Sequence, residues 1–308
     1  MTNYAVVVGI KGLFLSEKEK EYLKKYKPIG VILFKRNILN KTQVTSLIKE
    51  TKTILGSKVL IMVDQEGGKV SRLSKKFWPV FPPANYFGEM ALKDLSIAKK
   101  ETFKNYYFIG KELKKIGVNY NCAPVLDLLV KNSNKVIGSG SFSRNPKIVS
   151  VLGLEACKGL IKAKVKPVVK HIPGHGRSKD DSHQKLPEID SSISKLEDDF
   201  YPFKKLQNID SAMTAHIRYK RLDDKNSATH SKFIIKEIIR KKIGFNGILF
   251  SDDLCMKALK GSYFFRAKKA IDAGCDIVLH CEPNLKYIIR STLGAGKVSR
   301  ELKKKLFK

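Results

Sequence analysis

Eight short, apolar, β-rich runs (4–10, 31–34, 59–64, 118–123, 167–172, 211–217, 247–252 and 276–281) alternate with longer amphipathic stretches of helical spacing. Few chains with that alternation have more than one or two ways to fold, because a short strand followed by a crossover helix builds parallel sheet. Helices are predicted over 16–26, 95–116, 146–163, 193–207, 231–243, 263–273 and 284–293. Two of them carry start signals: Ser16 has Glu19 three residues on, and Ser231 opens a run with Ile234 and Ile235 on one face. Eight βα units predict the α/β class and a closed (β/α)8 barrel, one domain over 1–308, with an open doubly wound sheet as the alternative. Polar residues separate the two, since nearly every predicted strand ends in a chemical group: Asp64 and Glu66, Asp127, Lys170 and His171, His216, Asp252 and Asp253. In a barrel those ends converge on one face. No change of composition and no Pro/Gly/Ser linker marks a second domain.

A content of 43% hydrophobic residues supplies a core for a chain of this length. The net charge of +31 raises the question of a nucleic-acid partner, but only ten of the 60 basic residues are arginines, and the lysines run along the whole chain. A solvated lysine coat is expected, with no nucleic acid bound and a field that draws anionic substrates at low salt. Five scattered cysteines without a C-x-x-C pair read as reduced thiols. The start of the chain shows neither a basic leader nor a cleavage site, and no 18 apolar residues run uninterrupted. A cytoplasmic monomer without a membrane partner is the expectation.

The densest chemistry lies in Val169-Lys170-His171-Ile172-Pro173-Gly174-His175-Gly176 and the following Asp180-Asp181-Ser182-His183. A strand delivers Lys170 and His171, and the proline and glycines then force a loop. Three histidines and two aspartates invite a metal reading, yet a helical His171/His175 pair is excluded by the intervening proline and glycine, and Lys170 repels a cation. No metal and no cofactor are expected. Acid/base work is the alternative: Asp181, two residues from His183, can accept from one ring nitrogen and leave the other to exchange a proton. Loop polarity without a role is the third reading.

The run Gly247 to Asp253 ends in two adjacent carboxylates that alternation places on opposite faces. One is free to attack an anomeric carbon, while the other makes structural bonds or caps a helix; the residues alone do not choose. In Asp64-Gln65-Glu66-Gly67-Gly68-Lys69-Val70-Ser71-Arg72, Asp64 and Arg72 offer an acceptor and a planar donor suited to sugar hydroxyls or an anion, and Glu66 can pair with Lys69. Met213-Thr214-Ala215-His216 brings a single histidine of the satisfied core type.

In this order, Asp64-Gln65-Glu66-Gly67-Gly68, Lys170-His171-x-Pro173-Gly174-His175-Gly176, Asp181-Ser182-His183, Met213-Thr214-Ala215-His216 and Ser251-Asp252-Asp253-Leu254-x-Met256 resemble glycoside hydrolase family 3, specifically its single-domain β-N-acetylhexosaminidases of peptidoglycan recycling. The resemblance implies a retaining, two-step removal of terminal non-reducing β-linked N-acetylglucosamine from small muropeptide-like carbohydrates through a glycosyl-aspartate. It maps the nucleophile onto Asp252, the acid/base onto His183 with Asp181 as its partner, and sugar contacts onto Asp64, Arg72, Lys170 and His171. A β-glucosidase, a xylosidase or an N-acetylglucosaminide phosphorylase of the same family is the alternative. One departure stands out: Gly140 occupies the position before Ser141-Phe142 where the family usually carries a sugar-holding arginine, with Arg144 or a nearby lysine as a candidate substitute.

Overall fold

A computed structural model describes residues 3–130, 138–178, 180–182 and 184–306. Strands β1 (Tyr4–Gly9), β2 (Pro28–Leu33), β3 (Leu60–Val63), β4 (Tyr120–Asn121), β5 (Lys166–Pro167 continued by Val169–Ile172), β6 (Ser211–Thr214), β7 (Ile248–Asp253) and β8 (Ile277–His280) are parallel throughout. The first segment of β5 pairs with β4 and the second with β6, so one strand closes the sheet on itself. The Val168 N–H, donating to the Asn121 carbonyl at 2.8 Å, carries the ladder across the break. The closed barrel is therefore the fold, and the open sheet is not.

Period-two burial explains why these runs are strands. On β1, Ala5 and Val7 enter a cluster inside the barrel with Ile29, Leu60, Met62, Cys122 and Phe250, whereas Val6 and Val8 join the larger core under the helices. Both faces are dry, which is why the strands are nearly continuous in apolar residues. Helices α1 (Glu17–Tyr26), α2 (Lys41–Leu55), α3 (Ala84–Lys93), α4 (Leu95–Lys115), α5 (Pro146–Lys162), α6 (Ile193–Lys205), α7 (Tyr263–Ala273) and α8 (Leu285–Ala295) form most of the outer layer. A short α9 (Arg300–Leu306) adds Leu302 and Leu306 to the interior cluster alongside the first residues of the strands.

Start signals behave as their chemistry requires. Ser16 and Glu19 form a reciprocal capping box, and the Ser231 hydroxyl accepts from the Ile234 N–H at 3.0 Å. The helix predicted over 231–243 differs in one respect: Ile234–Lys242 is wound as a π-helix, with the Ile243 N–H reaching back five residues to Ile238. Among the described residues no helix is long and apolar enough to cross a membrane.

Candidate active site

A cavity of about 280 Å3 opens where the strands end, lined among others by Phe34, Asp64, Glu66, Arg72, Lys170, His171, Met213, Asp252 and Met256. It is the convergence that the strand-end pattern predicts, and it brings five sequence-selected residues together: Asp64, Arg72, Lys170, His171 and Asp252.

One wall is a run of alternating charge. Asp64, at the end of β3, takes the Arg72 guanidinium on Oδ2 at 3.2 Å and the Lys170 ammonium on Oδ1 at 3.1 Å. Lys170 reaches on to Glu66 Oε1 at 2.7 Å, so Glu66 pairs with Lys170 across the barrel mouth and not with its sequence neighbour Lys69. Burial pushes the Asp64 carboxyl up, but the two cations outweigh it and bring it down to about 2. Burial also opposes charge on Lys170, and the carboxylates of Asp64 and Glu66 turn that around, holding the ammonium well above its ordinary value.

The facing wall holds His171 and Asp252. Neighbours on a regular strand point opposite ways, yet Lys170 and His171 both line the cavity, because the register between β5 and β6 shifts between Lys170 and Ile172. His171 Nδ1 lies 2.7 Å from Asp127 Oδ2, and the fully buried Asp127 also accepts the His175 backbone N–H at 2.6 Å. Burial works against a charged His171, while Asp127 and Asp252 favour it, and the balance raises its pKa. Its other nitrogen, Nε2, looks toward Asp252 Oδ2 at 3.9 Å.

Alternation does not hold here: the register between β7 and β8 shifts between Phe250 and Asp253, and both adjacent carboxylates border the cavity, though their chemistry divides. Asp253 Oδ1 accepts the Cys255 and Cys281 backbone N–H groups, each at 3.0 Å, and burial leaves its carboxyl above the ordinary value. Asp252 uses one oxygen for the Asp253 N–H at 2.8 Å and turns Oδ2 to the cavity. Burial raises its carboxyl, but His171, His216, the Asp253 N–H and Lys170 together take it below the ordinary value, so it is ionised at neutral pH. His216 is the satisfied core histidine that its sequence suggested: Nδ1 meets the Thr229 hydroxyl at 2.7 Å and Nε2 meets the Asp253 carbonyl at 3.0 Å.

The loop after β5 is built by its small residues. A Cβ on Gly176 would fall 1.9 Å from the Leu128 carbonyl oxygen, and Gly174 takes a φ of +140°. Arg177, bonded to Asp199 at 2.5 Å, ties the loop to α6. His183 lies outside the described residues. Asp181 is half-buried, its carbonyl accepts the Gln184 and Lys185 N–H groups at 2.9 and 3.1 Å, and it is not one of the described residues lining the cavity. His175 sits in the loop, with Nε2 3.4 Å from the Ser182 hydroxyl, and the described residues contain no cluster of three or more metal-ligating side chains. Sequence reasoning placed Asp127 and Glu66 at strand ends without giving either a part in the site. For Asp127 no local signal exists, because its partner His171 lies 44 positions away.

Comparison with known proteins identifies the family. The model of the glycosyl hydrolase family 3 N-terminal domain matches residues 6–305. A β-hexosaminidase of Neisseria meningitidis is 39% identical over 282 residues, which cover 90% of this chain and 77% of that protein. The crystal structure of NagZ from Neisseria gonorrhoeae in complex with N-trifluoroacetyl-D-glucosamine superposes with a TM-score of 0.91 at 35% identity, over 99% of this chain and 89% of that one. A family 3 β-N-acetylglucosaminidase from Paenibacillus gives a TM-score of 0.89 at 30% identity over 98% of this chain, which spans 59% of that longer protein. A barrel whose mouth gathers an ionised strand-end aspartate, a carboxylate-backed histidine and a lysine-arginine-carboxylate wall, matched over nearly its whole length, belongs to glycosyl hydrolase family 3.

Proposed function

We propose that this chain is a retaining β-N-acetylhexosaminidase that removes terminal non-reducing N-acetylglucosamine. The observation that carries the reading is Asp252: a buried, ionised carboxylate with one oxygen held by a backbone N–H and the other near His171, in a cavity lined by the hydrogen-bonding side chains of Asp64, Arg72 and Lys170. In the first step Oδ2 forms a bond to the anomeric carbon as the glycosidic C–O bond breaks and the leaving oxygen takes a proton. Water then attacks the glycosyl-aspartate, gives up a proton, and frees the carboxylate. His183 supplies and later recovers that proton, with Asp181 as its partner, on a loop anchored at Arg177 and built around Gly174 and Gly176. An imidazole with an ordinary pKa of about 6.5 suits both directions near neutrality. Asp64, Arg72, Lys170 and His171 hold the sugar hydroxyls. The names of the relatives support N-acetylglucosamine as the sugar, and muropeptide-like fragments in the cytoplasm are the substrate and setting that we assign.

Incubation with a 5-fluoro N-acetylglucosaminyl fluoride, followed by peptide mass mapping, tests the mechanism. A mass increase of one glycosyl group on Asp252 is expected. Labelling of another carboxylate, or turnover that yields only the sugar 1-phosphate in phosphate buffer, would overturn it.

A further inference from the structure

Arg72, Asp64, Lys170 and Glu66 form a chain of alternating charge along one wall, with contacts of 3.2, 3.1 and 2.7 Å. Asp64 gives an oxygen to each neighbour, and Lys170 sits between two carboxylates. Glu66 is the terminal member: Oε1 holds Lys170, and Oε2 is turned toward Gly140. A Cβ built on Gly140 would lie 3.3 Å from that Oε2 and would meet no other described atom within 4 Å. Gly140 has no left-handed φ, so its backbone does not require glycine. What the missing side chain does is leave the second oxygen of Glu66, a residue that lines the cavity, facing a glycine with no side chain to cover it. A longer basic residue there would have space to grow and a carboxylate to grow onto.

A carboxylate paired on one oxygen keeps acceptor sites on the other. A bound sugar presents O–H donors. We propose that Glu66 is a specificity-determining residue of this site, its Oε2 accepting a hydrogen bond from one hydroxyl of the bound sugar. The inference rests on reading the cavity as a sugar site. Its consequence is selectivity: a site built to bond a hydroxyl rejects the analogue lacking it far more strongly than an apolar wall does.

Calorimetric titration of N-acetylglucosamine and its 3-, 4- and 6-deoxy analogues against wild type, Glu66→Gln and Gly140→Arg tests this without relying on turnover. Wild type should bind one analogue at least about tenfold more weakly than the parent sugar. That penalty should shrink at least about threefold in Glu66→Gln. It should shrink likewise in Gly140→Arg, where the Lys170 contact is intact and the open oxygen is covered. If affinity falls in Glu66→Gln while every deoxy penalty keeps its wild-type value, Glu66 acts only by holding Lys170 and the proposal is overturned. Hydrolysis of an aryl N-acetylglucosaminide by the wild type, run in parallel, separates the two readings: turnover with unaltered penalties sinks the contact alone, and altered penalties without turnover sink hydrolysis alone. A wild type that binds none of the four sugars overturns both.

Discussion

Asp64 and Asp252 end two strands of one barrel, face one cavity, and are both ionised, Asp252 buried and Asp64 half-buried, yet they are kept ionised in different ways. Asp64 is saturated: one oxygen lies on Arg72 and the other on Lys170. Asp252 is ionised without a cation in direct contact, through His171 at 3.9 Å and weaker influences from His216 and Lys170. A carboxylate with both oxygens engaged is a fixed shape that presents its neighbours' donors. One with a free lone pair is available to act as the nucleophile proposed for Asp252. Charge state alone does not separate the two, and partner distance does.

The sharpest way to break the comparison is to neutralise each residue in turn. Asp252→Asn should lower kcat by about a thousandfold or more on an aryl N-acetylglucosaminide, with little change in thermal stability, because the carboxylate it replaces has no ion pair in direct contact. A variant within tenfold of wild type would remove Asp252 from the chemistry.

Asp64→Asn should act in the opposite proportion. It leaves Lys170 with Glu66 alone and strips Arg72 of its carboxylate, so a loss of about 3 kcal/mol in unfolding free energy is expected, as when one partner of a buried pair is removed. The effect on catalysis should fall on KM, raised by about ten- to a hundredfold, more than on kcat. The acid side adds a check on sign. A carboxyl at about 2 in the folded protein, against about 3.9 unfolded, gives stability that is present above pH 4 and is lost as pH falls toward 2. Denaturant midpoints measured between pH 5 and 3 should therefore fall less steeply in Asp64→Asn than in wild type. Equal slopes would mean that Asp64 is not held low by its partners.

How far this division was legible in the sequence depends on what each residue needed. Strand-end carboxylates and the αβ alternation are local, and the pattern predicted the barrel, with observed strands beginning and ending within a few residues of the predicted ones. Helices α2, α3 and the short α9 were missed: α3 sits directly behind two prolines, and α2 is broken up by threonines and lysines that lower its apolar contrast. Pairings across the barrel are not local. Nothing near Glu66 indicates that Lys170, rather than Lys69, is its partner, and nothing near His171 points to Asp127. The choice between Asp252 and Asp253 was legible only by resemblance, because it turns on which carboxylate meets the Cys255 and Cys281 N–H groups, the latter from the end of another strand.

The smallest effect tests the link that keeps Asp252 ionised. Asp127 touches no part of the cavity surface, yet it bonds the nitrogen of His171 opposite the one that looks at Asp252. Burial disfavours the imidazolium, and Asp127 with Asp252 restores it, so the folded pKa of His171 stands above its ordinary value. A raised folded pKa contributes stability that is complete below the unfolded value near 6.5 and fades as pH climbs through the folded one. Asp127→Asn removes the first-named of the groups that raise it. In that variant His171 should lose its proton at lower pH, and the alkaline limb of kcat/KM, to which His171 contributes beside the acid His183, should move down. The loss should be severalfold and larger on the alkaline side than on the acid side. Stability measured from pH 6 to 9 should lose its downward slope in step with the activity. An alkaline limb that stays in place while the overall rate drops uniformly would make Asp127 a scaffold for the loop through the His175 N–H, and Asp252 would then owe its ionisation to His216 and Lys170 instead.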